Sequence, residues 1–460
     1  MTEAPARSAG SEARLPRSGI VFLLGLGLIC LTDYISTIYQ VRVARESYLT
    51  PWTVRLGGMP LAEVFLLTVF ALTAARWLAA VAIRGGRVRV YPLDWYFAAT
   101  ALGALYGVAV GVLTFTERDV VRELLYSVRL VVDFVLVYLL VSRLPRSGAQ
   151  TRRLWRWLLA YGGVFFLVNI GMWMVWVLGF HYVPLGVLNM GTLLLTDAGN
   201  VVFFSYLSVL GALIVITGTG SSRLRLYAGV LGLASALILV LSFRRANMLA
   251  VGVGVLLSTG MLMTWRSLVR SVRLAPLALA GLLAVAGAGI ELGRYVDAFL
   301  TLLDRSYAST ELRFIGDENV FYNLDRHHLW LTGLGLGRRY EYAHTLPAAE
   351  NISAFAEDEL GQRWRQTLHV SNPLYALWLR NGVVVGTALA LLPVAGLLWT
   401  LAVRARFAHD RDVQVLVVVT LVAAFAVPFP ALAPIDPKNA MLSGAILGLC
   451  SATMRLTRSP

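Results

Sequence analysis

Apolar runs of bilayer length recur along the whole chain, and they limit the fold more than any other feature. A helix needs about 20 mostly apolar residues to cross the hydrocarbon core. Lipid offers the backbone no hydrogen-bond partner, so the runs must be helices rather than open strands. The chain is 58% hydrophobic and 14% charged, whereas soluble proteins carry about a quarter charged residues. We therefore predict an all-α polytopic membrane protein with about 12 transmembrane helices.

The predicted spans divide the chain into four parts. The spans lie at 19–39, 60–83, 93–115, 124–142, 154–178, 198–217, 226–243, 246–264, 274–291, 373–402, 413–431 and 438–454. Residues 1–18 form a predicted disordered cytoplasmic tail, 19–291 hold spans one to nine, 292–372 form an extracytoplasmic segment, and 373–460 hold the last three spans and a short cytoplasmic tail.

Arginine is concentrated in every second loop between the spans. The arginine-rich loops are at 84–89, 143–153, 223–225, 266–273 and 404–411, and the C-terminal tail adds more. Cytoplasmic loops carry such an excess of positive charge, so both termini are predicted to be cytoplasmic. A net charge of +14 would suggest nucleic acid for a soluble protein, but the loop pattern explains it here and no nucleic-acid partner is expected.

Residues 292–372 interrupt the apolar pattern between the ninth and tenth spans. The segment has eight Arg against eleven Asp or Glu, and it holds four of the six histidines. Loops this long are usually functional or disordered. Aromatic residues such as Trp330, Trp364 and Tyr340 argue against disorder. We expect a small, mostly helical extracytoplasmic subdomain.

Two groups of arginine lie where arginine is costly. Arg129 and Asp133 are four apart in the fourth span, on one helix face, either as a structural ion pair or with Arg129 holding an anionic substrate. Arg244 and Arg245, in "LSFRRANML", lie in a tight turn at the predicted outer face. There they either snorkel to lipid head groups or clamp an anion, since the planar guanidinium fork suits phosphate oxygens.

The outer segment carries Arg313 in a predicted short helix, followed by "GLGLG" at 333–337. These glycines lack the lysine of a nucleotide-binding P-loop and no strand precedes them. We interpret them as tight turns near the membrane surface. The adjacent His327 and His328 point to different helix faces and lack zinc-site spacing, so no metal is expected.

The tenth span begins in "HVSNPLYALWLRNGVVVG", residues 369–386. Pro373 suits the first turn of a helix, and Ser371 or Asn372 can cap it. His369 then lies at the membrane surface, where a neutral imidazole can accept a proton from a hydroxyl. The alternative is that His369 is a surface histidine with no functional role.

In their order, these features resemble those of the bacterial O-antigen ligase and O-antigen polymerase superfamily of lipid-linked glycan transferases. "LSFRRANML" is similar to the family's Ser-Arg-Gly-Ala-like residues, "LTGLGLG" to its Gly-x-Gly segment, and "HVSNPLYALWLRNGVVVG" to its His-Asn…Gly-x-x-Gly segment. The likeness covers roughly residues 200–400, and elsewhere it extends only to hydropathy.

The resemblance implies glycan transfer from an undecaprenyl-pyrophosphate donor at the outer face of the bacterial inner membrane. The acceptor would be a lipid A core sugar for a ligase, or a lipid-linked glycan for a polymerase. His369 would be the general base, no metal, nucleotide or other cofactor would take part, and the donor pyrophosphate would be bound by Arg129, Arg244, Arg245 and Arg313.

Two alternatives remain open at this point. The family places its His directly before Asn or Ser, eleven residues ahead of a glycine, and Ser371 occupies that place here. Ser371 and His344 are therefore alternative catalytic residues. A transporter or flippase of an anionic lipid or solute would explain Arg129, Arg244 and Arg245 equally well. It would explain the aromatic outer segment less well.

Overall fold

A computed structural model describes residues 15–40, 54–56, 59–84, 90–114, 119–177, 198–241, 245–262, 308–336, 373–403, 411–426 and 437–456. Across these ranges the chain is almost entirely α-helical, as predicted. One small antiparallel sheet pairs β1 (Arg55–Leu56) with β2 (Met59–Pro60).

In the described ranges there are twelve helices. They are α1 (Arg17–Gln40), α2 (Leu61–Arg84), α3 (Asp94–Thr114), α4 (Asp119–Arg143), α5 (Gly148–Val177), α6 (Ala198–Thr217), α7 (Ser222–Leu241), α8 (Arg245–Leu262), α9 (Ala308–Arg326), α10 (Pro373–Val403), α11 (Arg411–Ala426) and α12 (Pro437–Leu456). Helix α9 lies in the polar segment, and each of the others overlaps a predicted span. The ninth predicted span, 274–291, lies outside the described residues.

Several of these helices have the length and composition of membrane spans. Three are long and apolar enough to cross a membrane: Asp94–Leu113, Ser222–Leu239 and Leu374–Val403. Shorter apolar helices occur in α1, α6, α8 and α11. Large apolar side chains also face outward, with Ile83 81% and Leu113 85% exposed, which suits a lipid surface. The count of twelve spans stays a prediction.

Helices α4 and α12 pack closely because glycines on α12 remove the side chains between them. A Cβ at Gly444 would lie 2.5 Å from the carbonyl oxygen of Phe134, and one at Gly448 would lie 3.0 Å from that of Tyr138. Small residues allow this approach between membrane helices. Because 134 meets 444 and 138 meets 448, the two helices run parallel.

One end of the bundle brings together the start of α1, the start of α3 and the ends of α4 and α12. Gly19 packs against Leu144, just beyond α4. The amide of Leu93, just before α3, donates to Ser451 Oγ near the end of α12 (3.2 Å). We call this end the terminal face. The start of α1 and the end of α12 thus lie at the same end of the bundle, and the cytoplasmic location of both termini stays a prediction.

Candidate functional site

Helix α10 is broken at Gly382, whose φ of 73° and ψ of 168° are not helical. This backbone region is open essentially to glycine alone. Residues 383–403 form about 30 Å of helix by themselves, enough to cross the hydrocarbon core. The sequence predicted one continuous span at 373–402, whereas Arg380 and Asn381 precede the spanning part, at the break.

A loop from the polar segment fills this break. We call residues 327–336 the glycine loop. Interrupting a helix leaves backbone groups without their usual partners, and the glycine loop supplies replacements. Three hydrogen bonds join the two segments: Leu334 N to Leu379 O (2.6 Å), Gly335 N to Arg380 O (3.0 Å) and Val383 N to Trp330 O (2.7 Å).

Glycine is required at positions 333 and 335, where the backbone of the glycine loop passes close to the backbones of α10 and α3. Gly333 has a φ of 72° and Gly335 a φ of 80°. A Cβ at Gly333 would lie 2.4 Å from the amide nitrogen of Gly382, and one at Gly335 would lie 2.2 Å from that of Gly111 on α3. The interpretation of these two glycines as tight turns is confirmed. Gly337 lies outside the described residues.

Helix α9 packs on the same assembly through aromatic side chains. The rings of Phe321 and Trp330 stack at a centroid distance of 5.9 Å, and Phe321 meets Tyr375 of α10 edge-on at 4.9 Å. Trp330 Nε1 donates to Asp325 Oδ1 (2.7 Å). A small apolar core lies beneath, made of Val320, Leu324, Leu334 and Leu379. Helix α9, the glycine loop and the start of α10 therefore form one packed unit, which we call the break unit.

Polar atoms remain inside the break unit. Asn381 is 5% exposed, and its Oδ1 has no hydrogen-bond partner among the described residues; the same holds for Oδ1 of Asp317. Burial raises the pKa of Asp317 to about 6. Arg380 Nη1 donates to Gly335 O (3.2 Å). Oδ1 of Asn381 faces α3, where a Cβ at Gly107 would lie 2.9 Å from it. Among the described residues, no group of three or more His, Cys, Asp or Glu could hold a metal ion.

Sequence analysis missed these side chains as site candidates. Arg380 and Asn381 stand out as polar residues in an apolar run, but no spacing rule relates them to Asp317, about sixty positions earlier. The sequence signal that could have pointed to this region was the pair of glycine-rich segments, "LTGLGLG" and "LRNGVVVG", on which the family resemblance rests.

Most residues predicted to form the site are not placed by the described structure. His369, Ser371, His344 and Arg244 lie outside the described residues. Arg245 is the first residue of α8, and Arg313 lies in α9, but their side chains fall outside the described part. The helix that carries Arg313 packs against α10.

Arg129 lies between two carboxylates in the described structure. Its Nε is 4.0 Å from Oδ2 of Asp133, the partner predicted from the spacing, and it contacts the carboxylate of Glu63 on α2. Two acids around one base make a poor site for an anion. The geometry therefore favours the ion-pair interpretation of Arg129.

No family model matches the chain, and no curated protein matches it. The family assignment stays a prediction that rests on the three motifs.

Proposed function

We propose that the chain transfers a glycan from an undecaprenyl-pyrophosphate donor to a sugar hydroxyl, as an O-antigen ligase or polysaccharide polymerase. The reaction takes place at the outer face of the bacterial inner membrane. The observation that carries the proposal is the contact between two motif segments. Residues 331–336 and 373–386 are distant in sequence, yet they meet through backbone hydrogen bonds at the break in α10.

The position of this contact also supports the proposal. The glycine loop bonds to α3 through Leu336 N and Gly107 O (2.8 Å), and Gly107 lies in the half of α3 remote from the terminal face. If the terminal face is cytoplasmic, the break unit belongs to the outer side, where a lipid-linked glycan is presented.

The transfer reaction needs few protein groups, because the pyrophosphate already activates the donor. As the acceptor oxygen attacks the anomeric carbon, the bond from that carbon to the pyrophosphate oxygen breaks. His369 takes the hydroxyl proton. Arg244, Arg245 and Arg313 stabilise the charge that gathers on the leaving pyrophosphate.

Variants that separate binding from turnover test this assignment. His369→Ala should lower the transfer rate by about 10²–10⁴-fold and leave donor binding intact, because a general base adds little ground-state affinity. Arg313→Ala should weaken both, because a phosphate contact acts before and during the reaction. If Ser371→Ala or His344→Ala is inactive while His369→Ala is active, the base is misassigned.

Lysine variants test the clamp at the turn before α8. Arg244→Lys and Arg245→Lys keep the charge but lose the planar fork, so at least one should transfer glycan more slowly and bind donor less tightly. If both variants and the double variant work at the wild-type rate, lipid snorkelling accounts for these arginines.

A transporter or flippase is the second candidate, and the broken helix α10 favours it. Transport sites often form where helices are discontinuous, usually in matching pairs. Among the described helices, α10 is the one with a non-helical residue in its interior, and the glycine loop fills its break. A flippase would move labelled donor lipid between leaflets without joining sugars, whereas a transferase would yield a longer glycan.

A further inference from the structure

We propose that a pocket at the terminal face binds the phosphate group of an anionic phospholipid. The pocket has a volume of about 450 Å³, and its lining comprises Val90, Tyr91, Pro92, Trp95 and Arg455. It lies where α3 begins and α12 ends, far along α3 from the break unit. The proposal does not depend on glycan transfer.

Arg455 lines this pocket, and the guanidinium groups of Arg455 and Arg143 both lie close to the ring of Tyr91. Cζ of Arg455 lies 4.5 Å from the ring centroid of Tyr91, and Cζ of Arg143 lies 4.8 Å from the same centroid. Arg143 is paired with Asp94, with Nη2 and Oδ2 3.3 Å apart. Asp94 also accepts hydrogen bonds from the hydroxyl of Tyr138 (2.7 Å) and the amide of Tyr91 (2.8 Å). Both oxygens of Asp94 therefore already have donors, and Arg455 is not one of them.

One hydrogen-bond donor of Arg455 has no acceptor among the described residues. This donor is the buried Nη1. A buried N–H without an acceptor is unfavourable, and more so on a charged group. Arg455 lines the pocket, so an anion there would give its guanidinium group a negatively charged partner. Phosphate oxygens match the guanidinium fork particularly well.

The rim of the pocket favours a lipid over a free anion. Val90 is 75% exposed and Trp95 36% exposed. Val90 precedes α3 and Trp95 lies in its first turn, and α3 is one of the helices able to cross a membrane. Tryptophan is enriched at the boundary between membrane and water. Basic pockets between helices on the cytoplasmic side suit anionic head groups. A phospholipid can place its phosphate on Arg455 while its glycerol and chains cover this apolar rim.

Lipid titration of the purified full-length protein tests the proposal. Phosphatidylglycerol should bind the wild-type protein and raise its thermal unfolding midpoint, while phosphatidylcholine and inorganic phosphate should do so much less. Arg455→Gln should weaken phosphatidylglycerol binding by about fivefold, the value of one arginine near an anionic lipid surface. Arg152→Gln is the matched control, because Arg152 is an exposed arginine of α5 near the terminal face, and it should bind like wild type.

Three results would overturn the proposal. The first is equal weakening, or none, in Arg455→Gln and Arg152→Gln. The second is displacement of phosphatidylglycerol by millimolar inorganic phosphate, which would make the ligand a soluble anion. The third needs no variant: a phosphatidylglycerol analogue with a photoreactive head group should label peptides containing residues 90–95 or 455–456 in the wild-type protein. Labelling confined to other peptides would contradict the site.

Discussion

A side chain at position 382 would conflict with both the backbone and the glycine loop. A Cβ there would lie 2.0 Å from the carbonyl oxygen of Leu331, at a φ of 73°. Backbone strain alone costs about 1–3 kcal/mol, so Gly382→Ala should lower the unfolding midpoint and abolish glycan transfer. Gly252→Ala on α8 is the control, since no atom lies within 4 Å of its Cβ position. A Gly382→Ala protein that matches this control would show that the loop does not depend on the break.

Asp317 should make stability depend on pH. Its pKa is raised from 3.8 to about 6 by burial, so the folded state holds the proton more tightly than the unfolded state does. The stabilising contribution of the protonated form is complete below about pH 4 and is lost as pH rises through about 6.

Replacing Asp317 isolates this effect. Asp317→Asn should unfold at a higher temperature than wild type above about pH 7, and the difference should shrink towards about pH 4. Thermal unfolding across this range measures it. Glu318→Gln, an exposed neighbour, removes the same charge and should follow the wild-type curve. If the difference in unfolding temperature between Asp317→Asn and wild type does not change with pH, the pKa of Asp317 is not raised by burial.

At the scale of elements, the helices were more predictable than the contacts between them. Lipid offers the backbone no hydrogen-bond partner, so apolar runs of bilayer length must be helical. Eleven of the twelve predicted spans accordingly overlap described helices. The break in α10 was not predicted, because hydropathy does not register a positive φ. The docking of the glycine loop also went unpredicted, since it uses backbone hydrogen bonds between distant residues. The two glycine-rich segments were the one sequence feature that related to this docking.

The contact between α2 and α4 offers a test at the element scale. Arg129 is shared between Asp133 and Glu63, and Glu63 was not predicted because it comes from another helix. Arg129→Ala leaves two partly buried carboxylates without a counter-charge, whereas Glu63→Gln leaves the Arg129–Asp133 pair. Removing one partner of a buried pair costs about 3–5 kcal/mol. The thermal unfolding midpoint of Arg129→Ala should therefore be well below that of Glu63→Gln. The reverse order would mean that the Arg129–Asp133 ion pair does not stabilise the fold.

For the whole molecule, the orientation in the membrane is a prediction from the sequence. The arginine-rich loops predict an even number of crossings, and the meeting of the start of α1 with the end of α12 at the terminal face agrees. Glu350→Cys should then react with an impermeant maleimide in intact spheroplasts. Arg458→Cys, the control, should react only after lysis. The native Cys30 and Cys450 are buried and should contribute little background. Labelling of position 350 only after lysis would reverse the topology.

The central claim is that this membrane protein joins sugars using the energy of a lipid-linked pyrophosphate alone. The most direct measurement incubates the purified, reconstituted wild-type protein with undecaprenyl-pyrophosphate-linked glycan and an acceptor glycan, with nucleotides omitted and divalent metals chelated. The account predicts a longer glycan together with an equal amount of released undecaprenyl pyrophosphate, and formation of both products about 10²–10⁴-fold more slowly with His369→Ala. Intact donor recovered from both leaflets, with no new glycosidic bond, would contradict it.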